Sequence, residues 1–160
     1  MLKKIVWTLL AGMFMAHPGR AEDNFTLKGI LLEPPKCGFN GGLTALVKFG
    51  ERVGVNKVDG SNYKQKLPYL MYCEEQSKPW DMALVLTGSV TSYDNAAIQT
   101  NIKDLGIRLL INGQPFAVDQ PVPMVFSKPP LIEAVPVKKP GSTLSTGAFE
   151  ATATIGINYQ

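Results

Sequence analysis

The chain is poor in the groups that do chemistry. It has one histidine, His17, and two cysteines, Cys37 and Cys73, in 160 residues. His17 lies in the apolar N-terminal segment described below, so cleavage of that segment removes the commonest general base and transition-metal ligand. There is no Gly-rich phosphate loop, no serine elbow and no calcium-loop ligand run: Asp59, Gly60 and Asn62 stand without the further carboxylates such a loop needs. The reading is therefore not an enzyme, with no cofactor and no metal. Charge of one sign is also lacking. Three of the 16 basic residues, Lys3, Lys4 and Arg20, sit at the N-terminus; without them the basic residues equal the 13 acidic ones. A neutral chain has no nucleic-acid or acidic-lipid footprint.

Long apolar runs are missing too, apart from one. "MLKKIVWTLLAGMFMAHPGRA" joins a basic start to an apolar stretch and then to small residues at Gly19 and Ala21. That is the layout of a secretory signal peptide over residues 1–21, too short and wrongly flanked for a membrane span. The remaining chain is expected to be exported and soluble, without membrane insertion. In an exported protein two cysteines read as one disulfide, Cys37 to Cys73, rather than as two reduced thiols. Closing that loop is worth about 4 kcal/mol on chain-entropy grounds.

No helical periodicity appears. Proline and glycine punctuate the chain, and the apolar pattern is short with period two. Residues 43–49 ("LTALVKF"), 67–73 ("LPYLMYC"), 82–88 ("MALVLTG"), 105–111 ("LGIRLLI") and 131–138 ("LIEAVPVK") read as strands. Asn112-Gly113 after the fourth is a hairpin signal, because both residues tolerate positive φ. Pro136 inside the fifth suits an edge or a bulge. Residues 51–65 and 92–104 read as polar loops, and 119–130 as a proline-rich extended stretch. Short strands with turn signals between them indicate an all-β, immunoglobulin-like sandwich, with the disulfide tying its first two core strands.

Residues 147–160, "GAFEATATIGINYQ", set the main question. Phe149, Ala151, Ala153, Ile155, Ile157 and Tyr159 fall on alternate positions, which is a strand with one apolar face. No further strand follows to pair with it, and an immunoglobulin-type sandwich needs one more. Native proteins do not leave a long apolar edge bare. A second strand-like segment precedes the first cysteine: Phe25, Leu27, Gly29 and Leu31 alternate with Thr26, Lys28 and Ile30, and Pro34-Pro35 ends the ladder. The pattern fits equally a strand folded into its own domain and one reaching into a neighbour.

Taken in order, these features resemble the pilin subunits of chaperone–usher fimbriae of Gram-negative bacteria, of the type 1 and P-like kind, with a minor pilin the nearest fit. The matching features are a signal peptide, an alternating extension with a central Gly29, two cysteines at similar distance, Gly147 fourteenth from the end and a penultimate Tyr159. Lys36 departs from relatives in which proline runs directly into the first cysteine. The resemblance implies a sandwich lacking its final strand, completed in trans by donor-strand exchange. It implies an N-terminal extension over 22–36, with Phe25, Leu27, Gly29 and Leu31 as donor strand, and a pilin domain over 37–160. Gly147, Phe149, Ala151, Ala153, Ile155, Ile157, Tyr159 and Gln160 become the acceptor groove and chaperone-binding strand, with the carboxylate of Gln160 held by basic chaperone residues. The implied partners are a periplasmic chaperone, an outer-membrane usher and neighbouring pilins. The implied location is a fimbrium at the cell surface, reached through the periplasm, with a part in adhesion. The competing reading is a single-domain adhesive or carbohydrate-binding β-sandwich, for which Trp80 and Tyr93 are the stacking candidates. The sequon at Asn24 and the pair Glu74-Glu75 carry no function in either reading.

Overall fold

A computed structural model of the protein describes residues 25–74 and 81–159. The expected signal peptide with His17, and Glu75, Trp80 and Gln160, lie outside the described residues. The chain divides after Leu32, and the body begins at Glu33.

The body is built almost wholly from strands: β1 (Cys37–Phe39), β2 (Gln65–Lys66), β3 (Met71–Cys73), β4 (Met82–Gly88), β5 (Ala97–Gln99), β6 (Leu105–Ile111), β7 (Gln114–Pro115), β8 (Val122–Met124), β9 (Ile132–Lys138) and β10 (Ala153–Tyr159). Helical structure among the described residues is limited to two single turns of 3-10 helix, at Asn40–Gly42 and Val55–Lys57. One sheet has the order β10-β4-β8 and another β2-β9-β6-β5, with β7 also on β6; β1 and β3 form a separate pair. All these pairings are antiparallel.

The core lies between the two larger sheets. Met82, Leu84 and Leu86 of β4 meet Ile107, Leu109 and Ile111 of β6 and Ile132 and Ala134 of β9, with Phe116 and Ile98 filling the centre. These are alternate residues of each strand, as the pleat requires. Burying each such Leu or Ile is worth about 1.5–3 kcal/mol. The intervening residues of β6 and β9, Leu110, Val135 and Val137, pack with Ala97 against Tyr93 on the opposite face. Burial on both faces explains why "LGIRLLI" is almost continuously apolar rather than alternating.

The expected strands at 82–88 and 105–111 stand where the periodicity put them, and 131–138 becomes β9. The hairpin turn is present, with φ of 51° at Asn112 and 80° at Gly113. Pro136 sits in a strand with neighbours on both sides, yet its position is locally an edge. β2 pairs only with Glu133 and Ala134, and the Pro136 carbonyl accepts from Gly60 N at 3.2 Å. The missing N–H points to the same side, away from β6, where no ladder needs it.

Four expectations change. Residues 67–73 do not form one strand. Leu67 N still bonds Ile132 O at 2.9 Å, then Pro68 breaks the ladder and the chain crosses to β3, beside β1. The loop expected at 92–104 contains β5, whose Ala97 and Ile98 are buried; alanine has too little strand preference to announce it. The proline-rich stretch contains the short strand β8. Residues 43–49 are not in a strand, although burial alternates as expected: Ala45, Val47 and Phe49 are half-buried and Thr44, Leu46 and Lys48 exposed. Inward and outward faces are set by the side chains, but no neighbouring strand among the described residues bonds this segment.

Candidate functional site

Among the described residues β10 pairs with a strand on one side only. Its seven residues pair with β4 from Ala153 opposite Gly88 to Tyr159 opposite Met82, and no strand among the described residues lies on its other side. The register decides which face is which, because directly opposed residues share a face. Ile155 opposes Leu86, Ile157 opposes Leu84 and Tyr159 opposes Met82, all three partners buried. The inward set is therefore Ala153, Ile155, Ile157 and Tyr159. Ile155, Ile157, Tyr159 and Phe149 pack on the core but stay only half-buried, while Ala151 and Ala153 are exposed. The strand begins later than expected, since residues 147–152 pair with no strand.

That upstream stretch is held by a side chain instead. Asn101 Oδ1 accepts from Glu150 N at 2.8 Å, Asn101 Nδ2 donates to Ala148 O at 3.1 Å, and Asn101 N donates to Glu150 O at 3.3 Å. The carboxamide thus supplies the donor and acceptor that a strand residue would. Gly147 precedes it with φ of 151°, a conformation open essentially to glycine alone.

Across from this edge runs the first part of the body. A cleft of about 540 Å³ is lined by residues 33–39 on one side and by Ile155, Gly156, Ile157 and Tyr159 on the other. Its two walls touch at Tyr159, and a further contact holds the segment before β10. The Tyr159 hydroxyl donates to Pro35 O at 2.6 Å, and the Phe49 and Phe149 rings lie 5.9 Å apart. Cys37 and Cys73 face each other directly in the β1–β3 pair and are bonded, which anchors the first wall.

The expected donor residues form no strand. Phe25, Leu27 and Leu31 are 85, 94 and 102 % exposed, and a Cβ added at Gly29 meets nothing within 4 Å. Sequence reasoning missed Asn101, Phe49 and the Pro35 carbonyl, each of which meets the C-terminal segment only through tertiary contact; no local pattern announces them. Tyr93, a stacking candidate, is instead a packing residue, its hydroxyl donating to Asp104 O at 3.1 Å and lying 3.4 Å from Val137 O. Among the described residues no cluster of three or more His, Cys, Asp or Glu is placed to hold a metal ion.

Comparison with known proteins identifies the family. The profile of the family described as "Fimbrial protein" matches residues 25–160. The fimbrial-like protein YfcQ of Escherichia coli (strain K12) is 34% identical over 165 residues, covering 100% of both chains. The fimbrial-like protein YfcR of the same strain is 32% identical over 150 residues, covering 91% of this chain and 85% of its own. Among solved structures, the P pilus adaptor subunit PapF superposes with a TM-score of 0.55 at 22% identity, over 79% of this chain and 97% of that one. The P pilus rod subunit PapA gives 0.56 at 18% identity, over 86% and 100%. With these matches the chain belongs to the fimbrial protein family: it has the immunoglobulin-like pilin fold and is a structural subunit of a cell-surface fimbrium, not an enzyme.

Proposed function

We propose that this subunit polymerises by donor-strand exchange through the cleft beside β10. After export, a periplasmic chaperone lends a strand to the cleft. At the outer-membrane usher the N-terminal extension of a neighbouring pilin replaces it, and the subunit's own segment 25–31 fills the next cleft. The fibre so formed contributes to adhesion.

The observation that carries the proposal is the half-buried, one-sided β10. Ile155 and Ile157 already pack on the core, yet among the described residues no strand pairs with their outer edge. Strand addition satisfies both needs at once: backbone bonds supply affinity, and alternate side chains fill the cleft. The donor segment has matching chemistry. Its Phe25, Leu27 and Leu31 are exposed, and each gains about 1.5–3 kcal/mol when buried. The seven residues 25–31, extended, span roughly 23 Å, the length of the seven-residue β10 edge. The other sheet edges are poor acceptors. β2 and β7 have two residues each and β5 and β8 three, with Lys66 in β2 and Pro123 in β8. Short, charged or proline-bearing edges resist strand addition, so among the described residues the long neutral β10 is the edge suited to it.

The test is self-completion. A donor strand copied after Gln160 through a flexible linker meets the cleft at an effective concentration near millimolar. The expected result is a monomer with a much higher melting temperature than the unmodified protein. Equal thermal stability and equal monomeric behaviour without the added strand would overturn the proposal.

A further inference from the structure

The place beside β10 is not open along its whole length. Towards Tyr159 it is faced by the chain's own residues 33–39, and the Tyr159 hydroxyl donates to Pro35 O at 2.6 Å across the cleft between them. This wall is not a strand of the β10 sheet. Neither Pro34 nor Pro35 has an N–H to give a ladder, and among the described residues β10 pairs with β4 alone. Nor is the wall held evenly. From Lys36 onward it is anchored: Glu74 N donates to Lys36 O at 2.9 Å, and Cys37 is bonded to Cys73. One residue earlier, the tie across the cleft is the bond from Tyr159 to Pro35. Glu33 and Pro34 are exposed and Pro35 is half-buried, so moving residues 33–35 about Lys36 uncovers little.

We propose that the Tyr159–Pro35 bond is an autoinhibitory latch. It holds the first wall against the end of β10 in the subunit without a donor, and it must open for a donor strand to seat fully. The inference rests on the donor-strand reading and adds a regulatory contact to it. Tyr159 belongs to the inward set, opposite the buried Met82. A donor with the sequence of 25–31, antiparallel to all seven residues of β10, sets its Phe25 opposite Tyr159. Directly opposed side chains share a face and lie close together. The donor's Phe25 ring and the phenol reaching to Pro35 therefore claim the same space. A ligand gains only the difference between the two states it links, so the latch opposes the donor by as much as it stabilises the closed subunit. One net hydrogen bond corresponds to about a fivefold change in affinity. Opening also frees residues 33–35, the stretch that leads back into the subunit's own extension. Filling the cleft is thereby linked to release of that root.

Uptake of a labelled peptide copying residues 22–33 tests the latch, read by fluorescence anisotropy on the unsubstituted protein and on Tyr159→Phe. The substitution removes the hydroxyl and keeps the ring that packs on the core. It is expected to lower the melting temperature by a few degrees and yet to raise the affinity for the peptide about fivefold. A merely structural contact moves affinity the other way, because its loss loosens the cleft and the peptide's hold with it. A second peptide carrying Phe25→Ala closes a double-mutant cycle. With no ring to place beside Tyr159, it should gain nothing from Tyr159→Phe. The latch is overturned if the folded Tyr159→Phe protein binds the first peptide no more tightly than the unsubstituted protein does, or if both peptides gain alike. Either result, with uptake by the unsubstituted protein, sinks the latch and leaves donor exchange standing. Absence of uptake by both proteins overturns donor exchange for this segment, and the latch with it.

Discussion

Asn101 does for residues 148–150 what β4 does for the rest of the open strand. Its carboxamide bonds Glu150 N and Ala148 O at 2.8 and 3.1 Å, so Asn101→Ala removes two bonds and leaves the backbone groups to water. At about 1 kcal/mol per bond, thermal unfolding should show a loss of about 1–2 kcal/mol, and hydrogen exchange should quicken first at Glu150. Asn101→Gln, a methylene longer, should not restore it. Tyr93 offers a second test, by pH. Burial, then the nearby Asp94 and Asp104, push its phenol from the ordinary 10 up to about 12. A group whose pKa is raised on folding contributes stability that is complete below its unfolded value and lost as pH rises through the folded one. Stability should therefore fall between pH 10 and pH 12. Tyr93→Phe should flatten that fall without removing it, because burial raises Tyr69 as well. Melting temperatures of both proteins across the alkaline range decide the matter, and parallel curves would count against the assignment.

At the scale of elements, the contrast between edges organises the fold. Among the described residues the other edges are short or carry lysine or proline, and the edge proposed to accept a donor is seven residues long and uncharged. The same logic gives Gly29 a split phenotype. A side chain at Gly29 meets nothing within 4 Å in the subunit itself, so Gly29→Leu should leave its melting temperature unchanged. Seated in the next subunit's cleft as proposed, residue 29 would carry a bulky side chain where the donor strand has none, and fibre growth should stop at the substituted subunit. Fibre counts by electron microscopy beside thermal unfolding separate the two effects; normal fibres carrying Gly29→Leu would show that Gly29 is not a seated donor position.

For the whole molecule, the boundary after Leu32 has a measurable consequence. Deleting residues 22–32 should leave the body's stability and its chaperone binding unaltered, while blocking insertion into the next cleft; loss of chaperone binding would contradict this. The disulfide acts oppositely. It closes a loop with a sequence separation of 36, so replacing both cysteines by serine should cost about 4 kcal/mol. It should also loosen the first wall of the cleft, seen as weaker uptake of a donor peptide by the serine-substituted protein.

Much of this architecture is legible along the chain because it rests on local rules. Short apolar runs between turn signals located β4, β6 and β9, positive-φ residues located the hairpin at Asn112-Gly113, and the alternation at 153–159 showed both the strand and its inward face. The pairing of Cys37 with Cys73 followed from there being two cysteines and an export signal. What local rules do not contain is who sits beside whom. Residues 43–49 alternate like a strand yet pair with none among the described residues, since a ladder needs a neighbour that side-chain pattern does not specify. β5 was hidden because its alanines are buried by the fold rather than by their own hydrophobicity. The start of the last strand is set by Asn101, 49 positions from Glu150. The cleft itself, bridged by Tyr159 on Pro35, exists only where the two ends of the body meet. Sequence alone determined the long strands β4, β6, β9 and β10 and the disulfide; tertiary structure decided the short strands and which edge, among the described residues, has no neighbour, because an edge is defined by the neighbour it lacks.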